Sequence, residues 1–174
     1  MMATLLQENF TIIVFLHVIS AVVWVGGMIS MRYATHQSLM MLDSKERLER
    51  VSHALKRLFV IATPAVIILI ITAVIMAVGL GFRVAAVGPD GTVLDEQAYF
   101  IYNMVHLKEV LWMLMAMNLG AMAYLRSKAA KAIVAQDYET AKDKLGLIGK
   151  YMVPLNIAMG VGAIYLGVFL RHTH

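Results

Sequence analysis

Residues 9–32 read NFTIIVFLHVISAVVWVGGMISMR. Between Asn9 and Arg32 the one ionisable side chain is His17. About 20 apolar residues in helical form cross the hydrocarbon core of a bilayer, so this stretch is expected to span a membrane. Segments 58–82, 99–125 and 148–170 have the same character. The expected fold is all-α: an integral membrane four-helix up-down bundle with cytoplasmic helical extensions, one transmembrane domain over residues 1–174.

Composition agrees. In a chain of 174 residues, 60% hydrophobic residues and a mean hydropathy of +0.74 exceed what a water-soluble globule can bury. Cysteine is absent, which excludes disulfides, thiolate metal sites and thiol nucleophiles. A pI near 9.4 does not indicate nucleic acid, because the basic residues concentrate in two segments beside the apolar spans. Met1 to Phe10 holds no Lys or Arg and no small-residue cleavage site follows, so the first span is read as retained.

Two connections carry the basic charge: Arg32, Lys45, Arg47, Arg50, Lys56 and Arg57 in the first, and Arg126, Lys128, Lys131, Lys142, Lys144 and Lys150 in the second. The positive-inside rule places both in the cytoplasm and both termini outside, in a multi-pass protein of the cell's inner membrane. Segment 36–58, HQSLMMLDSKERLERVSHALKRL, has apolar residues at helical spacing and reads as an amphipathic extension, and 127–147 repeats the design. Segment 83–97, with Gly88, Pro89, Asp90 and Gly91, is a turn-rich acidic loop.

Polar groups within spans are costly and mark function. They are His17, His106, Lys108, Glu109 and Asn156. With the first and third spans running the same way, His17 and His106 both lie at roughly 10–12 Å depth, given a rise of about 1.5 Å per residue. Matched histidines on separate helices can supply the two axial ligands of heme b. Interhelical hydrogen bonding is the plainer role for a lone histidine. On the first span Ile13, His17, Ser20, Trp24, Gly27 and Met31 share one face, where Ser20 and Gly27 would leave room for a flat macrocycle. Tyr99, Tyr102, His106, Glu109, Met113, Met117 and Gly120 form the corresponding face of the third span, and Asn156, Gly160, Ala163 and Gly167 that of the fourth. Small residues there serve close helix packing equally well. Arg83 and Arg171 lie at the outer rim, where propionates would need cations and where topology anchors also sit.

The 14 methionines suit Cu(I) as thioether ligands, although methionine is also a flexible apolar filler. His172 and His174 could add an exposed metal contact, whereas His36 and His53 are expected to be solvated. Copper handling is therefore the alternative to heme, and a purely structural subunit the third reading. No nucleophile-base arrangement or metalloprotease spacing points to hydrolysis.

His17-Val18-Ile19-Ser20, followed by Trp24, Gly27, Arg32 and His36, together with His106-Leu107-Lys108, resembles the HemJ-type protoporphyrinogen IX oxidases and the related small CopD-like membrane proteins. The likeness covers about half the chain, chiefly the first and third spans. It implies a heme b bundle in which His17 and Lys108 match residues important to the oxidases. Lys108 would then steer a propionate or porphyrinogen and Glu109 relay protons. A porphyrin substrate, a quinone or other electron partner, membrane lipid and a homo-oligomer are all compatible with this reading.

Overall fold

The computed structural model describes residues 2–172, with the side chains of residues 4 and 7–170. Among these residues the chain is helical, except for connections and one isolated β-bridge between Val87 and Val93. Helix α1 (Met2–Ser30) kinks at Asn9, whose φ of −125° is not helical. It widens into a π-helical turn over Met31–Thr35, closed by His36 N–H donating to Met31 O, and ends as α2 (His36–Leu39). Asp43 then caps α3 (Ser44–Gly79) by accepting from the N–H groups of Lys45 and Glu46, which would otherwise lack partners. Pro64 lies inside α3 without ending it. One residue before it, the Thr63 hydroxyl donates to Phe59 O at 2.7 Å.

Gly81, at φ +67°, turns the chain into the short α4 (Phe82–Ala86). Such a left-handed conformation suits glycine, which has no Cβ to clash with the backbone. In the loop that follows, Gly91 at φ +83° serves the same purpose, and Asp90 accepts from both the N–H and the hydroxyl of Thr92. Asp95 caps α5 (Glu96–Val134), and Asp137 caps α6 (Tyr138–Leu147). A second π-helical turn, Ile148–Met152, joins α6 to α7 (Val153–His172). Pro154 accounts for its position: its ring opposes the carbonyl of Lys150 and supplies no N–H, so the backbone widens just before it.

Helix α1 packs on α3, α3 on α5, α5 on α7, and α7 back on α1. Directions follow from the contacts. His17 meets Thr72 while Gly27 meets Leu58, so α1 and α3 are antiparallel. Asn118 meets Asn156 while Phe100 meets Phe169, so α5 and α7 are antiparallel too. Gly160 lies against Val25, which fixes the register of α7 on α1. The apolar core includes Trp24 and Met28 of α1, Leu55, Ala62 and Leu69 of α3, Met115, Leu119 and Met122 of α5, and Ile148 and Val153. This core fills the half toward the basic connections. In the next layer out stand His17, Thr72 and Lys108.

Three helical stretches are long and apolar enough to cross a membrane: Gln7–Leu39, Ser44–Ala86 and Tyr138–Leu170. Their most apolar windows are only 28%, 33% and 17% buried, so most of this apolar surface faces outward, as lipid contact requires. The expected span 99–125 lies wholly within α5, which has the length at 39 residues, yet it is not among the three. Lys108, Glu109 and Asn118 dilute its apolarity. The sequence count of four apolar spans thus reduces to three by apolarity and four by length.

Candidate functional site

His17 is held from α3. Its Nδ1 lies 3.0 Å from Thr72 Oγ1. The Thr72 hydroxyl already donates toward the carbonyls of Ile68, at 2.8 Å, and Leu69, at 3.0 Å. A hydroxyl has one proton, so toward His17 its oxygen accepts. With the threonine proton on the backbone, an imidazole protonated on Nδ1 fits this contact and keeps Nε2 as the nitrogen able to coordinate; the Leu69 carbonyl is a further acceptor beside the ring. Metal-binding histidines are oriented in this way, through the nitrogen that does not bind the metal.

Lys108 approaches the same level from α5. It is close enough to His17 for its charge to act on the imidazole. Its ammonium occupies space opened by Gly167 of α7, where an added Cβ would come 3.0 Å from Nζ. Among the described residues no carboxylate pairs with Lys108. Glu109, the next residue along, accepts from His106 Nδ1 at 2.9 Å. All four long helices thus contribute to one layer: His17 from α1, Thr72 from α3, Lys108 from α5 and Gly167 from α7.

His106 does not join that layer's interior. Its side chain is 51% exposed, it packs edge-on against Tyr102, and Glu109 lies beside it on the outside of α5. Met113, Met117 and Gly120 of the same expected face are also exposed. The buried stripe of α5 is Ile101, Met115, Met122 and Ala129, with partly buried Lys108 in register between the first two. The sequence reading chose the wrong side of this helix. The spacing of seven through Ile101, Lys108, Met115, Met122 and Ala129 was the signal available for the right one. His106 precedes Lys108 by two residues, and two residues along a helix turn its side chain about 160° away from that of Lys108.

On α1 the expected face is the inner one, with Ile13, Ser20, Trp24 and Met31 buried. The room expected at Gly27 is not open: Leu58 fills it, within 2.8 Å of where a Cβ would stand. Gly160 is filled likewise by Val25 and Met115. Both glycines serve close packing between helices. Asn156, 1% exposed, accepts from Asn118 Nδ2, which also donates to Met152 O. Asn156 Nδ2 and Trp24 Nε1 remain buried N–H donors without a partner. Such orphaned donors in a core are open to a water or a ligand acceptor. Met28, Met31, Met115 and Met122 pack in the apolar core, while Met40, Met41, Met113 and Met117 face outward. Arg83 lies on α4, and His53 is exposed. The side chains of Arg171, His172 and His174 lie outside the described residues. Among those described, no group of three or more His, Asp or Glu could hold a metal ion.

For heme, the donor set fits at one ligand rather than two. His17 offers Nε2, and Lys108 a cation for a carboxylate of the macrocycle, while His106 is turned outward. Comparison with family models, with curated proteins and with solved structures finds no match for this chain.

Proposed function

We propose that this chain is a four-span membrane protein of the cell's inner membrane that binds heme b through His17 and acts in redox chemistry, either transferring electrons or oxidising protoporphyrinogen IX. The observation that carries the reading is the layer that holds both His17, bound to Thr72 through Nδ1, and a lysine with no carboxylate partner among the described residues. An unpaired cation within a membrane is costly unless a ligand supplies the opposite charge. A porphyrin carries such charge in its carboxylates and, as heme, an iron that accepts imidazole nitrogen. Bound heme supplies a one-electron couple.

The remaining roles belong to the chain. Thr72 keeps His17 in the tautomer able to coordinate, and Gly167 makes room for Lys108. Lys108 binds and orients a propionate of the cofactor, or a carboxylate of the porphyrin substrate. Apolar residues of the surrounding helices exclude water. The basic connections face the cytoplasm, which puts the His17 layer in the outer half of the membrane. Likeness to the HemJ-type oxidases in His17, Trp24 and Lys108 supports the same reading.

The test is the visible spectrum of the purified full chain, oxidised and then reduced with dithionite. A b-type spectrum lost in His17→Ala, weakened in Lys108→Ala and kept in His106→Ala is the expected result. A colourless protein that retains copper would exclude it. Oxidation of protoporphyrinogen IX in the presence of a quinone, followed by porphyrin fluorescence, then separates an enzyme from an electron carrier.

A further inference from the structure

At the opposite end of the molecule from His17, the two π-helical turns face a common cavity of about 240 Å³. Arg32, His36, Arg47, Lys142 and Lys150 line it, and no acidic residue does. Of the carboxylates at the start of α3, Asp43 caps the helix and Glu46 pairs with Arg50 at 3.2 Å. Among the described residues none of the four permanent cations has a carboxylate partner. The Arg47 guanidinium reaches only the thioether of Met40, at 4.0 Å. His36 Nδ1 is buried and without a hydrogen bond. Beneath these charges the lining is apolar, through Val51, Leu55, Leu145 and Val153, all buried.

Arg32 and Lys150 also lie over the rings of Tyr33 and Tyr151, at 5.9 and 5.2 Å, yet four cations around one cavity repel one another, and an anion among them relieves that repulsion. A simple surface patch would have neither the apolar floor nor walls from six helical segments. Interrupted helices of the π type recur at functional sites, and here both interruptions stand in the wall of the same cavity. We infer that this cavity binds a phosphate-bearing ligand: the cations hold the phosphate, and the apolar floor takes adjoining hydrocarbon. That combination matches the headgroup of an anionic phospholipid. The site also lies at the end that the positive-inside rule assigns to the cytoplasm, where basic pockets between helices meet anionic headgroups. This inference is independent of the heme reading, since it uses neither His17, Thr72 nor Lys108.

The experiment uses the full chain, purified in a zwitterionic detergent and freed of lipid. Phosphatidylglycerol, phosphatidylcholine and inorganic phosphate are each titrated, with native mass spectrometry counting bound molecules and thermal unfolding reading stabilisation. One phosphatidylglycerol per chain, bound more tightly than phosphatidylcholine, is the expected result. Arg47→Gln and Lys150→Gln should each weaken it about fivefold, the loss expected for one cation near an anionic headgroup. Arg50→Gln removes the same charge outside the cavity and should leave binding unchanged. Inorganic phosphate competing at equal strength would identify a free anion as the ligand of the same site. Absence of binding by both probes overturns the inference, as does an equal loss in Arg50→Gln, which would mean diffuse surface attraction. The two cavity substitutions are at solvent-accessible side chains, and unaltered unfolding without lipid verifies that they fold.

Discussion

Thr72 Oγ1 stands 3.0 Å from His17 Nδ1 while donating its own proton to the backbone of α3, so a threonine on one helix sets the tautomer of a histidine on another. Thr72→Val keeps the shape and removes the acceptor. Loss of such an orienting partner lowers metal affinity about 10- to 100-fold. Hemin titration of the full chain, followed in the Soret band, is expected to show a weakening in that range, with Thr72→Ser close to the native protein. Equal affinity in Thr72→Val would mean that the ring is oriented by something else.

Lys108 is expected to trade stability for function. A cation in a span without a counter-charge destabilises the folded protein, and Lys108→Met fills the same volume without the charge. Thermal unfolding in detergent should show Lys108→Met as stable as the native chain or more so, by roughly 2 kcal/mol, from the cost of a charge in a span. Ligand binding should fall in the same variant. A marked loss of stability would show that the ammonium has a structural partner.

Gly160 lets α7 approach α1, since a Cβ there would stand 2.7 Å from Val25 Cγ2. Gly160→Ala overpacks this contact and is expected to cost about 1–3 kcal/mol. Val25→Ala in the same chain removes the obstructing methyl groups and should recover at least half of the loss. A double-mutant cycle on unfolding free energies reads this coupling directly. Additive effects would mean that the helices separate rather than interlock.

Asn118 ties α5 to α7 through Met152 O, at 2.9 Å, and Asn156 Oδ1, at 3.1 Å. Hydrogen bonds between membrane helices contribute about 0.6 kcal/mol on average and up to about 1.7 kcal/mol. Asn118→Ala should lower stability within that range, measured by unfolding in mixed micelles. Asn118→Asp keeps acceptors but leaves no donor, and should be no better than alanine.

Helical class and the basic connections were legible in the sequence, because they depend on local chemistry, whereas the break between α2 and α3 inside segment 36–58 was not. Asp43, Asp95 and Asp137 cap helices that start where the apolar pattern resumes, and Gly81 turns the chain where no other residue does so without strain. The inner face of α1 was legible as well, through Ile13, Ser20, Trp24 and Met31. The inner face of α5 was not. His106 with its tyrosines and methionines made as good a stripe as Lys108 with Ile101, Met115 and Met122.

Hydropathy could not choose between those stripes, since lipid is as apolar as a protein interior and an outward-facing methionine costs nothing. The sequence by itself determined that the chain is helical, that apolar helices carry it into a membrane, and that His17 sits within one of them. Tertiary structure alone decided how α5 is rotated about its axis, because that depends on contacts with α3 and α7 far along the chain. The rotation turns Lys108, rather than His106, toward the interior at the level of His17. It also seats Leu58 and Val25 against Gly27 and Gly160, where the sequence left room for a macrocycle, and draws four cations from distant segments around one cavity.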